Sequence, residues 1–482
     1  FRAGKARHYQ FELAGEAEQV ASACRDGLNQ WLGVEGTLSY AAAPSGKRVQ
    51  FSTWEAPGFV AVLLTANSSA PRLGIGLPEE RHRLFMHNFG EEMALLLDLD
   101  FLMNFPQAWK TSPQGLDDRL AVPGLKEQVF FQWMTEDRSR ARFASSPFSN
   151  VSLDLRLFQG RLPVEELVVD FEKDRVRQIT VSVFNRGDAG EISVQEFESI
   201  FKTCGQALGQ SLGVAPRRQS ANASSAVKTV SWMWEAPHAV ALMEYNDYED
   251  RSAKARQPEF LRVKLAPPDN MDWNFGVTEI GARTTTVSRS SLKENVSRSE
   301  SGDVFVGGVP MVDQGDKGYC VVASCQRLFE YFHIPCDQHE MALLVGTDAQ
   351  RGTNSIVMEE ALDKIDNRFK TRFKPLIHTQ MDVREKRRLD AERFAKFVQE
   401  NVDEGLPLLW TLSLGRFPED PPLPGAGQTS GGHMRMIIGY NTARSEILFS
   451  DSWGVGHELK RMKLGDAFEA TSGLYLMLPR TL

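Results

Sequence analysis

VPMVDQGDKGYCVVASCQRLFEYF, residues 309–332, sets Gln314 six residues ahead of Cys320 and follows that cysteine with an apolar-periodic run of helical length. The spacing predicts a helix that starts at the thiol. Unpaired N–H groups and the positive end of the helix dipole favour an anion there. A cysteine so placed and paired with a histidine can have its pKa lowered from about 8.5 to about 3–4. Two later stretches supply the partners. In GGHMRMIIGYN, residues 431–441, His433 opens an apolar strand-like run, and in ILFSDSWG, residues 447–454, a second such run ends in Asp451, Ser452, Trp453 and Gly454. Nucleophile, base and orienter thus occur in the order Cys, His, Asp.

Together with Gln314, this order resembles the papain-like cysteine peptidases, whose pattern is a Gln shortly before a helix-capping Cys, then a His on a strand, then Asn-Ser-Trp-Gly. The nearer likeness is to the bacterial bacteriocin-leader-processing, peptidase C39-like family. Its motif of Gln, Cys-Gly-Pro-Ala-Ser and an aromatic-rich helix reads here as Gln314, Cys320, Ala323, Ser324 and LFEYFHIP. GTDAQRGTNSIVMEEAL, residues 346–362, is similar to that group too, as a Gly-Thr turn capping a second helix. The resemblance covers residues 303–482. It implies a papain-like α+β fold, with LPLLWTLSL, residues 406–414, as a barrel strand and the following RFPEDPPLPGAGQTSGG as a loop overhanging and gating the groove.

The residues spell out a chemistry. Cys320 as thiolate attacks a carbonyl carbon, His433 as imidazolium holds the pair and protonates the leaving amine, and Asp451 fixes the imidazole tautomer. The Gln314 amide and the Cys320 N–H donate to the developing oxyanion, a contribution of about 3 kcal/mol per donor where measured. Trp453 and Gly432 stand in supporting positions, Trp453 covering the Asp–His bond. Two positions depart from the pattern: Val321 replaces the usual Gly and narrows the groove, and Asp451 replaces the Asn of papain. Either side chain can accept the imidazole N–H. The resulting expectation is a peptidase acting on polypeptide, with no metal or cofactor. A transglutaminase-like acyl transferase or amidase uses the same Cys, His, Asp order, and a catalytically decayed binding or scaffold protein is the reading from a different class.

The rest of the chain sets bounds. At 482 residues and 42% hydrophobic content it holds more than one domain. Net charge −8 gives no reason to expect nucleic acid or an anionic membrane surface as a partner. No apolar run reaches the about 20 residues that cross a bilayer. The chain opens at Phe1 without a leader, which points either to a removed signal peptide or to a start trimmed from a longer chain; an exported, secreted or periplasmic protein is expected, with cytoplasm as the alternative. Five cysteines, Cys24, Cys204, Cys320, Cys325 and Cys336, are odd in number and irregular in spacing, so dense disulfides are not expected. Cys325, five residues along the helix from Cys320, turns into the core. His333, Cys336 and His339 lie at a helix exit and lack a second ligand cluster with zinc-like spacing.

An internal repeat organises the first 285 residues. CRDGLNQWLGV (24–34) aligns with CGQALGQSLGV (204–214), and WEAPGFVAVLL (54–64) with WEAPHAVALME (234–244), both at an offset of 180 that pairs Cys24 with Cys204 and Trp54 with Trp234. Each unit reads as an amphipathic helix followed by strands meeting at the Glu-Ala-Pro turn. The second unit also carries NVSLDLRLF, LVVDFEKD and VRQITVSVF ahead of its helix, a meander by its alternation. The first has none, and the native chain is therefore expected to extend upstream by about 30 residues. GEEMALLLDLDFLMNF (90–105) reads as a helix, and ARTTTVSRSSLKENVSRSESGD (282–303) as a linker rich in Ser, Thr and Arg. The domains expected are two duplicated helix-plus-antiparallel-sheet modules at 1–110 and 149–281, a connector at 111–148, a linker at 282–302 and the peptidase domain at 303–482.

Overall fold

A computed structural model of the chain describes residues 8–14, 17–33, 36–42, 48–56, 59–66, 69–77, 94–121, 130–145, 152–219, 229–249, 257–269, 287–314, 318–334, 336, 338–345, 365–366, 369–423 and 430–482. The first sheet follows β1 (His8–Glu12) and α1 (Ala17–Leu32) with β2 (Thr37–Ala42), β3 (Arg48–Ala56), β4 (Phe59–Ala66) and β5 (Ser69–Gly76). Its strands run in the order β2-β3-β4-β5-β1, all pairs antiparallel.

Next come β6 (Ala94–Asp98), α2 (Pro113–Leu120), β7 (Gln132–Trp133), β8 (Arg140–Ala144), β9 (Ser152–Leu157), β10 (Leu162–Val164), β11 (Glu166–Glu172), β12 (Arg175–Asn185), α3 (Arg186–Ala189), α4 (Val194–Leu212), β13 (Arg217–Gln219), β14 (Thr229–Ala236), β15 (Ala239–Asn246) and β16 (Phe260–Ala266). The second large sheet runs β13-β14-β15-β16-β12-β11-β8-β7. Around each helix the path is the same: the strand before the helix pairs with the last strand after it. Both helices also end alike, with left-handed Gly33 (φ 67°) and Gly213 (φ 70°) returning their N–H groups to Asn29 and Gly209 carbonyls.

Four expectations meet a different structure. The first unit does have a strand ahead of its helix, β1, paired with β5. The described part of 90–105 is not a helix. It forms β6, parallel to β9 with Leu95 opposite Leu153 and Leu97 opposite Leu155, and then a 3-10 turn at Asp100–Met103. A short apolar run carries no decisive period, and here a partner strand some 60 positions away along the chain decides it. That pairing also takes β9 out of the expected meander into a small sheet β10-β9-β6, while β11 and β12 form the expected hairpin. Residues 287–298, expected as linker, are ordered. Ser288 and Ser291 make a capping box for α5 (Arg289–Glu294), Leu292 is buried, and β17 (Val296–Arg298) pairs with β18 (Asp303–Val306). Serines in number suggested disorder, but one at an N-cap starts a helix. The expected helix at 346–362, residues 282–286, the turn residues 57–58 and loop residues 424–429 lie outside the described residues.

The aligned tryptophans are both core. Trp54 and Trp234 are each 1% exposed. Trp54 donates its indole N–H to Asn29 Oδ1 at 2.7 Å, whereas Trp234 Nε1 is buried without a partner. Gly209 stands at the aligned position, and a Cβ there would meet Trp234 Nε1 at an ordinary 3.7 Å. Gly209→Asn is therefore expected to stabilise the protein by about 1–2 kcal/mol, by satisfying the indole and removing a helical glycine. Thermal unfolding checks this; an unchanged or lowered midpoint would contradict it.

The last sheet holds the site. After β18 come α6 (Cys320–Tyr331), α7 (Gln338–Val345), β19 (Thr371–His378), β20 (Met381–Asp382), α8 (Ala391–Val402), β21 (Leu408–Leu414), β22 (Gly431–Asn441), β23 (Glu446–Ser450), β24 (Lys460–Lys463), α9 (Leu464–Ala470) and β25 (Thr471–Pro479). The order is β17-β18-β22-β21-β25-β19-β20, with β23 and β24 continuing from β22. Helix α6 packs on β22, and Ser324, one turn beyond Cys320, donates to the Met434 carbonyl at 3.2 Å. The helix that begins at the cysteine is thereby tied to the strand that carries the histidine.

Candidate active site

Cys320 is the first residue of α6, His433 sits near the start of β22, and Asp451 directly follows β23. All three are buried. His433 Nε2 and Asp451 Oδ1 are 2.7 Å apart. With Nε2 committed to the carboxylate, the ring's other nitrogen, Nδ1, is buried with no hydrogen bond formed, and the Cys320 thiol is, after Asp451, the group that acts on the ring. Burial would push that thiol up; hydrogen bonding and charge from His433, helped by the backbone at Met434, outweigh it and hold the thiol below the ordinary cysteine value. Burial would push the imidazole down, but Asp451 and then Cys320 lift it to about 9. The arrangement can hold a thiolate beside an imidazolium.

Gln314 is also buried, in a segment without helix or strand that precedes α6. Its backbone N–H donates to the Ser452 carbonyl at 3.0 Å, and its Oε1 accepts from Ser452 Oγ at 2.8 Å. With the oxygen end engaged, the orientation of the amide is fixed. Ser452 in turn donates its N–H to Asp451 Oδ1 at 3.0 Å. Trp453 stacks on His433, centroids 4.8 Å apart and planes 24° off parallel. Gly454 follows at φ 79°, where a Cβ would lie 3.6 Å from Asp313 Oδ2. Gly432 precedes His433 opposite Ser413, with open space beside it. Val321 is buried in the domain core. Cys325 is 1% exposed, and burial pushes its thiol up to about 12. His333, left-handed at φ 55°, turns the chain out of α6, and His339 sets its ring edge-on to Tyr319.

Charged residues that motif reading passes over stand behind His433 and Asp451. Arg435, two along β22 from His433, brings Nε to 2.6 Å from Asp451 Oδ2, an ion pair not aligned as a hydrogen bond. The same guanidinium forks onto Glu419 at 2.7 and 3.0 Å, and Glu419 also takes Lys460. The side chains of His433, Asp451, Arg435 and Lys460 are all 0% exposed. Burial would raise the Asp451 carboxyl, yet His433 and Arg435 hold it well below the usual range. Arg327, seven residues after Cys320, donates to the carbonyls of Pro310 and Asp451 and to Ser450 Oγ. The signal available in the sequence was a cation inside an apolar run: Arg435 shares its strand phase with His433, and Arg327 lies two helical turns from Cys320.

Glu419 also changes the expectation for the loop after β21. Its described part, 415–423, is pinned to the sheet by this buried carboxylate and by Asp420 exchanging backbone hydrogen bonds of 2.9 and 2.7 Å with Arg461.

Removing the cation behind Asp451 is expected to raise the pKa of both the thiol and the imidazole, since each sits nearer a net negative charge. Arg435→Met leaves Glu419 paired with Lys460 and should move both limbs of the pH profile for Cys320 alkylation up by about one pH unit. Unmoved limbs would show that Arg435 only fills space.

No curated protein gives a significant match to the chain. Among solved structures, xylellain, a cysteine protease from Xylella fastidiosa, aligns at 13% identity with a TM-score of 0.24, over 42% of this chain and 93% of that one. Residues 306–476, about a third of the chain, match the Peptidase_C39 like family. This segment contains Gln314, Cys320, His433 and Asp451, and it is a C39-like segment of the cysteine-peptidase type.

Proposed function

We propose that the chain hydrolyses peptide bonds through Cys320, His433 and Asp451, with the Gln314 amide and the Cys320 N–H as oxyanion donors. The supporting observation is His433, buried between a thiol held below its ordinary value and a carboxylate at 2.7 Å. In this reading the thiolate adds to the scissile carbonyl, and the imidazolium gives its proton to the leaving amine. Water then releases the acyl group from the thioester, with the imidazole as base. Asp451 keeps Nε2 protonated and Nδ1 toward the sulfur. Trp453 keeps water off that bond.

The two N-terminal units are proposed to be duplicated modules that recruit or restrain the polypeptide. The shared strand path, the matching glycine helix ends and the paired buried tryptophans support the duplication. The test is digestion of a peptide library by the full chain and by Cys320→Ala, read by mass spectrometry. New termini that appear with the wild type and not with the variant are expected; identical spectra from the two proteins would sink the reading.

A further inference from the structure

The segment that delivers Gln314 makes no helix or strand of its own, so side chains from elsewhere must hold it. Its carbonyls and carboxylate are gripped in order. Arg327 donates to Pro310 O at 2.7 Å, Arg140 Nη1 to Met311 O at 2.8 Å, and Arg142 Nη1 reaches Asp313 Oδ2 at 3.4 Å. Ser452 then accepts from the Gln314 backbone N–H and donates to its Oε1. The first and last of these holders belong to the peptidase segment. The middle two project from β8, in the sheet of the second N-terminal unit.

Both arginines are braced from behind. Arg140 Nε pairs with Asp170 at 2.5 Å and Arg142 Nε with Glu166 at 2.6 Å, both partners on the adjacent β11. Arg140 also reaches Glu330 on α6 at 3.1 Å, so one guanidinium links the helix of Cys320 to the loop of Gln314. Two further contacts flank this grip. Arg262 on β16 pairs with Glu340 on α7 at 3.1 Å, and Gly187 lies so close to Tyr319, the residue before Cys320, that a Cβ would come within 2.2 Å of its hydroxyl. A sheet face that only tethered the catalytic segment would have no cause to aim two braced cations at two of the three residues before Gln314.

We propose that Arg140 and Arg142 are positioning residues for the oxyanion donor Gln314, so that the second N-terminal sheet is part of the machinery that stabilises the tetrahedral intermediate. The inference rests on the peptidase reading above and gives that unit a task beyond handling substrate. It also separates two reactions of the same thiol. Iodoacetamide alkylation displaces iodide at carbon and forms no oxyanion. With 4-nitrophenyl acetate the thiolate adds to the carbonyl, the oxyanion collapses, 4-nitrophenolate leaves and an acetyl thioester remains on Cys320. Only the second needs Gln314 in place.

The experiment measures both rates on the full chain. Gln314→Ala is expected to slow acetylation by about 10²-fold. Arg140→Met and Arg142→Met should each slow it by about tenfold, with alkylation within about twofold of wild type from pH 5 to 8, and Arg140→Lys should recover part of the loss. In the Gln314→Ala background the arginine changes should cost nothing more, because the donor they position is gone. Parallel losses in both reactions would mean general collapse of the site, and losses additive with Gln314→Ala would mean an unrelated effect; either overturns the inference while the peptidase reading stands. A wild type whose Cys320 reacts no faster than a free thiol in both assays removes the peptidase reading and this inference with it.

Discussion

His433→Ala is expected to lower peptide hydrolysis by about four orders of magnitude or more, the scale seen when the base of a nucleophile–base pair is removed. The larger physical consequence falls on the thiol. Cys320 and Cys325 lie on one helix, both buried, and differ in having or lacking a histidine. Burial pushes Cys325 up to about 12, whereas His433 reverses the same penalty at Cys320. Without the imidazole, Cys320 should fall back toward an ordinary thiol, its alkylation at pH 5 falling by about 10³-fold as the thiolate fraction collapses. Intact low-pH reactivity in the variant would mean that the helix N-terminus alone makes the thiolate.

Asp451→Ala is the second large effect, and it acts on stability as well as rate. The carboxylate stands between His433 and Arg435, and both partners are fully buried. Its loss frees the imidazole to turn and leaves Arg435 sharing Glu419 with Lys460, two cations on one carboxylate. Breaking a buried pair in this way costs about 3–5 kcal/mol, and loss of orientation should lower hydrolysis by about 10³-fold. Asp451→Asn separates the two roles, because an amide oxygen still accepts from Nε2 while the charge is gone. It should keep much more of the activity and lose the lift on the imidazole.

The sign of the pH effect follows from that lift. An imidazole raised from 6.5 to about 9 in the folded protein stabilises it fully below about pH 6.5, and that contribution is lost as pH rises through 9. The difference in melting temperature between wild type and Asp451→Asn should therefore be largest at about pH 5–6 and shrink toward pH 10. A gap that widens with rising pH would contradict the assigned pair.

The local parts of this site were legible in the sequence, and its support was not. A cysteine opening an apolar helix, a histidine opening a strand and Asp-Ser-Trp-Gly closing another are each signalled within about ten residues of chain. Gln314, Cys320, His433 and Asp451 do lie in one segment, with Trp453 stacked on the histidine. Arg435 was visible only as a charge inside an apolar strand, because its partners Glu419 and Lys460 come from a loop and a separate strand. The grip of Arg140 on Met311 spans 171 positions, and nothing in either neighbourhood announces it. The same limit explains β6. Its leucines fit a helix until β9 is beside them, whereas in α5 a local signal, Ser288 at the N-cap, was present and outweighed by the composition around it.

The most direct test of the thiolate–imidazolium pair is the rate of Cys320 alkylation by iodoacetamide in the full chain between pH 5 and 8, with the labelled site identified by peptide mapping. The predicted result is fast labelling confined to Cys320, already strong at pH 5 and nearly flat to pH 8. A rate that climbs about tenfold per pH unit, as a free thiol's does, or label spread over Cys325 and Cys336, would contradict it.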